Sequence, residues 1–172
     1  KTMVAKLAGC CEKNPHYENV DEYPVKQGSL EEMVYSPEKT IFSVWSPNAD
    51  SVYLNIYADA TTIAPLQTLH MCRQKDGSWV KTVKGDLNGQ FYTFQVVEAD
   101  SRWTLHETPG IFAKAVGVNG HRAAIIDLAS TNPVGWEEDV RPAFDAAKDA
   151  IVYEMHHRDM TIHPTSGIQN KG

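Results

Sequence analysis

TIFSVWSPNADSVYLNIY, residues Thr40 to Tyr57, carries two apolar alternations, Phe42/Val44 and Val52/Leu54/Ile56, on either side of Ser46-Pro47-Asn48-Ala49-Asp50. Residues two apart on a strand point to the same face, so each alternation reads as a strand with one buried side. Pro47 fixes φ while Asn48 and Asp50 favour turn geometry, and the polar pentapeptide therefore reverses the chain. The expectation is a β-hairpin against which later segments pack.

Downstream, Leu66 to Cys72 reads as a strand, and Asp76-Gly77-Ser78 as a tight turn into a second strand at Trp79 to Val83. After a turn at Gly85 to Gly89, QFYTFQVVE (Gln90 to Glu98) alternates Tyr92/Phe94/Val96 against Phe91/Thr93/Gln95. A short strand at Arg102 to Leu105 and a last one at Arg122 to Leu128 complete the set. Upstream, residues 1–32 show turn residues and no period, and read as a lead-in arm to a short strand at Met33 to Tyr35. Many short strands with closely spaced turns, and no segment of helical period, predict an all-β fold: an antiparallel immunoglobulin-like β-sandwich over residues 33–130.

Composition limits the function. The 172 residues suit one domain, or a domain of about 100 to 140 residues plus an appendage. Lys+Arg 16 against Asp+Glu 22 gives a formal charge of -6 with no basic stripe, which argues against nucleic acid as a partner. No apolar run approaches the roughly 18 residues of a membrane span. Three cysteines, Cys10, Cys11 and Cys72, cannot all pair within the chain, so a disulfide framework is not expected. Leu7-Ala8-Gly9-Cys10 has the look of a bacterial lipoprotein processing site, with an anchor at Cys10, but Lys6 interrupts the apolar stretch that should precede it. The compartment is not specified by these residues.

Composition shifts at Ser130 to Asp139, where turn residues and acids replace apolar periodicity, and residues 131–149 read as a linker. Ala150-Ile151-Val152-Tyr153 is then an apolar run that suits a strand buried on both faces, within a segment 150–172. Such a strand needs neighbours supplied by crossover units of a dozen or more residues. The tail is therefore expected to be disordered, to fold back, or to pair with another molecule, a tail-mediated dimer among the outcomes.

FSVWSPNADSVYLNIY, DGSWVKTVKGDLNGQFYTFQV and AKAVGVNGHRAAIIDL, in that order, resemble the family 48 carbohydrate-binding module that precedes the catalytic barrel of type I pullulanases in glycoside hydrolase family 13. IVYEMHHRDMTIHPTSGIQNKG resembles the first barrel strand and following loop of the same enzymes. One stretch departs from the family: Thr108-Pro109-Gly110-Ile111-Phe112-Ala113-Lys114 stands where an Asp-Pro-Tyr-Ala-Lys run is usual. The resemblance implies a sandwich followed by the truncated start of a (β/α)8 barrel. It implies a non-catalytic module of an enzyme that hydrolyses α-1,6 links in pullulan, starch or glycogen, binding α-glucan weakly or buttressing the rest of the catalytic barrel. The nucleophilic Asp, the acid/base Glu and a third Asp of such enzymes are expected beyond Gly172, so no catalytic residue is assigned. The alternative is a stand-alone β-sandwich interaction module that pairs through its carboxy-terminal strand.

Glu154 and Asp159, read on a strand, lie too far apart for the roughly 5 to 5.5 Å of a retaining glycosidase pair, and a structural role with Arg158 as ion partner is expected. His70, His106, His156, His157, His163 and Cys72 show no ligand spacing; no metal, calcium included, and no cofactor is expected. Sugar binding needs a flat aromatic face beside planar polar groups. Trp45, Trp79, Trp103 and Trp136 offer such faces. Trp45 and Trp79 are expected to cover the sandwich. Trp103, with Arg102, Thr104 and His106 beside it, is the expected glucan-binding set, since glycogen-binding relatives of this module stack sugar on a Trp at this position. No second Trp stands in the loop Ala58 to Pro65, and Thr93 occupies a position where those relatives have a Lys.

Overall fold

The structure, a computed structural model, describes residues 15–98, 105–141, 143 and 150–172. They fall into two compact units, divided between Asn132 and Pro133. The first is the predicted antiparallel sandwich. One sheet has the strand order β1-β2-β6-β5, from Met33–Tyr35 (β1), Lys39–Trp45 (β2), Cys72–Arg73 (β5) and Ser78–Lys84 (β6). The other has the order β4-β3-β7-β8, from Ala49–Tyr57 (β3), Gln67–His70 (β4), Phe91–Glu98 (β7) and Leu105–Thr108 (β8), with Ala123–Ala124 (β9) also pairing with β7.

The alternating residues of Thr40 to Tyr57 point inward as expected: Phe42, Val52, Leu54 and Ile56 are fully buried. In β7, Tyr92, Phe94 and Val96 face the same core and lie opposite Ile56, Leu54 and Val52 on β3. The sheets meet where Phe42 of one packs edge-on against Tyr92 of the other, ring centroids 5.0 Å apart. Burial pushes the Tyr92 phenol above its usual range.

The expected hairpin does not form. β2 pairs with β1 and β6, whereas β3 pairs with β4 and β7 in the opposite sheet. Ser46-Pro47-Asn48 is a corner that carries the chain between layers. Periodicity fixes which face of a strand is buried, not which strand lies beside it, and two inward-facing strands joined by a short turn satisfy that pattern in either arrangement. Leu66 to Cys72 behaves in the same way. It splits into β4 and β5, which lie in different sheets on either side of the buried Met71. The Asp76-Gly77 turn does close a true hairpin, β5 to β6. Gly77 has φ +78, and a Cβ there would meet Pro24 and Pro47 at 2.9 Å, so only glycine suits the turn.

Two indoles hold the corner. Trp79 is 2% exposed and donates from Nε1 to Ser46 O at 2.9 Å, and Trp45 Nε1 donates to Asp76 O at 2.9 Å. Asp76 itself accepts from the Ser78 backbone N–H and hydroxyl and pairs with Lys26 at 3.0 Å. Burial works to raise its ionisation, but the Ser78 and Lys26 bonds outweigh it and hold the carboxyl below the ordinary range.

Cys72 on β5 is disulfide-bonded, and with three cysteines in the chain one intrachain bridge is the most that can form. The last expected strand is shorter than predicted. Only Ala123–Ala124 pairs as β9, and the chain then turns into a 3-10 segment at Leu128–Thr131 capped by Asp127, whose side chain accepts from Ala129 N–H.

Among its described residues the second unit, Pro133–Gly172, has 3-10 turns at Trp136–Glu138 and Pro164–Ser166 and one short helix, α1, at His157–Thr161. Ser166 Oγ donates to Thr161 O at 2.8 Å, and the Gly172 N–H donates to Thr161 Oγ1 at 3.0 Å. Ile151, Val152 and Tyr153, read as a strand, have no ladder partner among the described residues and are 90%, 88% and 76% exposed. A strand buried on both faces forms only between neighbours, and the described residues supply none. Asp159, expected on a strand, instead lies in α1, which His157 begins with His156 as its N-cap.

Candidate functional site

Of the expected glucan-binding set, Arg102, Trp103 and Thr104 lie outside the described residues, as does the Cys10 anchor site. The expected strand Arg102 to Leu105 falls mostly outside them too; the observed β8 runs from Leu105 to Thr108 on the outer side of β7. His106 is on β8 and its side chain is open to solvent.

The other tryptophans are placed. Trp79 is a core residue. Trp45 is half-buried, spends its N–H on Asp76, and takes the Tyr23 ring edge-on at a centroid distance of 5.9 Å. Both cover the sandwich, as expected. Trp136 is 55% exposed in the second unit. A groove beside Trp45 is lined by Val20, Tyr23, Pro24, Val25 and Lys26 and is almost wholly apolar, which leaves few groups to meet sugar hydroxyls.

A compact polar cluster adjoins His106 on the outward face of the second sheet. Thr93 lies between the inward-facing Tyr92 and Phe94, so its side chain turns outward. It is nevertheless 1% exposed, and its hydroxyl donates to Glu107 Oε2 at 2.7 Å. Tyr57 Oη donates to the same oxygen at 2.6 Å. The Arg122 guanidinium lies over the Tyr57 ring, 3.5 Å from its centroid, and donates to Asp59 O at 2.9 Å. A cation over the ring face and a carboxylate at the hydroxyl use the phenol's quadrupole and its donor together. Burial, reinforced by Glu107, raises the Tyr57 ionisation.

Asp59 in turn caps its own loop. It accepts from the hydroxyls and backbone N–H groups of Thr61 and Thr62, and these bonds, the Thr62 hydroxyl first, hold its carboxyl well below the ordinary range. The outward face of β7 at Thr93 is thus covered by Glu107. Thr93, Glu107, Tyr57 and Arg122 are too far apart in the chain to be grouped by spacing.

Asp159 lies 3.5 Å from His156 Nδ1 within α1 and its cap, rather than paired with Arg158 as expected. No group of three His, Cys, Asp or Glu among the described residues could hold a metal ion, and no helix among them is long and apolar enough to cross a membrane.

Comparison with known proteins places this geometry. Residues 29–109 match Carbohydrate-binding module 48 (Isoamylase N-terminal domain). The chain is 35% identical over 139 residues to a pullulanase from Bacillus subtilis (strain 168), covering 81% of this chain and 18% of that protein. Among solved structures, a mutant pullulanase from Paenibacillus barengoltzii complexed with maltotriose superposes with a TM-score of 0.76 at 43% identity, over 88% of this chain and 23% of that one. Pullulanase from Bacillus acidopullulyticus superposes with a TM-score of 0.74 at 32% identity, over 87% and 18%. The chain thus spans about a fifth of the length of the relatives it matches.

Proposed function

Because residues 29–109 of this chain are a family 48 carbohydrate-binding module of the kind found in the amino-terminal region of pullulanases, we propose that it serves an enzyme that hydrolyses α-1,6-glucosidic links in pullulan, starch or glycogen. In that setting it is a non-catalytic module that meets α-glucan weakly through Trp103, with Arg102, Thr104 and His106 beside it. The observation that carries this reading is the likeness to the maltotriose-complexed pullulanase, which extends over 88% of the chain and so past the sandwich itself. That extent favours a module of a larger enzyme over a stand-alone interaction protein. The exposed Ile151, Val152 and Tyr153 also suit it, since the remaining strands of a catalytic barrel would supply the missing neighbours.

One flat indole face sets the affinity. Stacking on an aromatic ring contributes roughly 1–3 kcal/mol, each hydrogen bond adds about 1 kcal/mol net, and association costs several kcal/mol. Dissociation in the millimolar range follows. The test is a titration of maltoheptaose into the 172-residue chain and into Trp103→Ala, followed by amide shifts, with a thermal melt to confirm folding. Loss of binding in the folded variant supports the reading, and unchanged binding overturns the assignment to Trp103.

A second reading, a module that only buttresses the barrel, is favoured by the burial of Thr93 under Glu107. It predicts no saturable shift in either protein.

A further inference from the structure

We infer that residues 17–32 are a strap that belongs to the folded module and fixes the loop leaving β8, with Glu32 as its positioning residue. The family match begins at residue 29, and by sequence this stretch reads only as a lead-in arm. Its side chains are nevertheless committed to the sandwich at both ends.

At the first end, the Tyr17 N–H donates to Asn48 Oδ1 at 3.0 Å, while Asn48 Nδ2 donates to Tyr17 O and to Tyr23 Oη, each at 3.0 Å. Asn48, the corner residue between the sheets, thereby spends its acceptor and its donor group on the strap. Tyr23 packs against both Tyr17 and Trp45, and Lys26 pairs with Asp76 in the β5–β6 turn.

At the second end, Glu32 is 2% exposed. Oε1 accepts from the Ile111 N–H at 3.1 Å and Oε2 from the Phe112 N–H at 2.8 Å, and the Glu32 backbone carbonyl accepts from Ser43 N–H at 2.9 Å. Gly110 has φ +92, and a Cβ there would come within 2.1 Å of Glu32 Oε2. The Glu32 carboxylate thus occupies the space that a side chain at position 110 would need. Lys114 closes the loop on Glu31 at 3.0 Å. A carboxylate taken out of water and satisfied by two backbone N–H groups is costly to disturb on either side. The loop it holds follows directly on β8, the strand of His106, so displacement of the strap reaches that strand. The inference stands whether or not the module binds glucan.

The test is amide hydrogen exchange on the full chain. Glu32→Gln turns one acceptor into a donor facing an N–H, so exchange at Ile111 and Phe112 should rise by roughly tenfold or more, with Leu54 and Phe94 still protected. The His106 and Glu107 amide resonances should shift with it. Asn48→Ala, at a half-buried corner, should free the other end, and proteolysis between Tyr17 and Gly28 should accelerate to a similar degree. Two results would each overturn the inference: unchanged exchange at Ile111 and Phe112 in folded Glu32→Gln, or wild-type cleavage between Tyr17 and Gly28 already as fast as in Asn48→Ala. If Glu32→Gln fails to fold, Gly110→Ala presses on the same carboxylate from the loop side and should give the same local exchange.

Discussion

Trp79, on β6, reaches past its own strand to donate its indole N–H to Ser46 O at 2.9 Å. The bond joins a buried core residue to the corner at which the chain leaves one sheet for the other. Trp79→Phe keeps most of the apolar bulk and removes the donor. It should cost about 1–3 kcal/mol, read as a lower midpoint in urea with an unchanged slope. An unchanged midpoint would show that the corner does not depend on this bond.

Thr40 should respond in the opposite direction. It is fully buried on β2, and its hydroxyl finds no hydrogen-bond partner among the described residues. Thr40→Val keeps the β-branched shape and discards the stranded polar atom. A gain of about 1 kcal/mol is expected, visible as a higher melting temperature, and a loss would mean that the hydroxyl has a partner in solution.

Tyr35 ties the β1 edge to the turn after β6 through a 2.8 Å hydrogen bond from Oη to Asp86. That bond, with a smaller contribution from burial, pushes the phenol up from 10.0 to about 12. A raised folded-state value means that the contribution is complete below the unfolded value and is lost as pH rises through the folded one. Stability should therefore fall between about pH 10 and pH 12, and Tyr35→Phe should flatten that part of the profile. Phenolate absorbance followed alongside denaturant melts checks both.

Glu107 is the shared acceptor of Tyr57 and Thr93. Glu107→Ala removes the charged acceptor of two buried hydroxyls, and because Glu107 itself is exposed water takes its place in part, at a cost of about 1 kcal/mol. Tyr57 should ionise more readily in the variant, though burial keeps it above an exposed phenol. A spectrophotometric titration that shows no change at Tyr57 would place the carboxylate elsewhere.

Much of the core was legible because the period of two marks an inward face whatever the strand's partners. Phe42, Leu54, Ile56, Tyr92 and Phe94 could all be named from alternation alone. Partnership could not, which is why the hairpin at Thr40 to Tyr57 and the single strand at Leu66 to Cys72 were misread: both are crossings between layers. β8 was placed only approximately, and most of its expected glucan set lies outside the described residues. The strap was invisible for a different reason. Its polar contacts are made by single side chains, Asn48, Asp76 and Glu32, each paired with a residue far off in the chain, and such pairs leave no periodic trace.

The two crossings have a consequence for synthesis. Because the chain alternates between layers, neither sheet is contiguous in sequence: β2 waits for β6, and β3 waits for β7. A nascent chain that has just emitted Tyr57 holds a row of apolar side chains with no ladder for β3 to join. The β2–β6 pairing cannot be complete before Lys84 has left the ribosome, nor the β3–β7 pairing before Glu98. Contacts of such long sequence separation close slowly, so through most of its translation the module offers its future core to whatever chaperone attends the exit site.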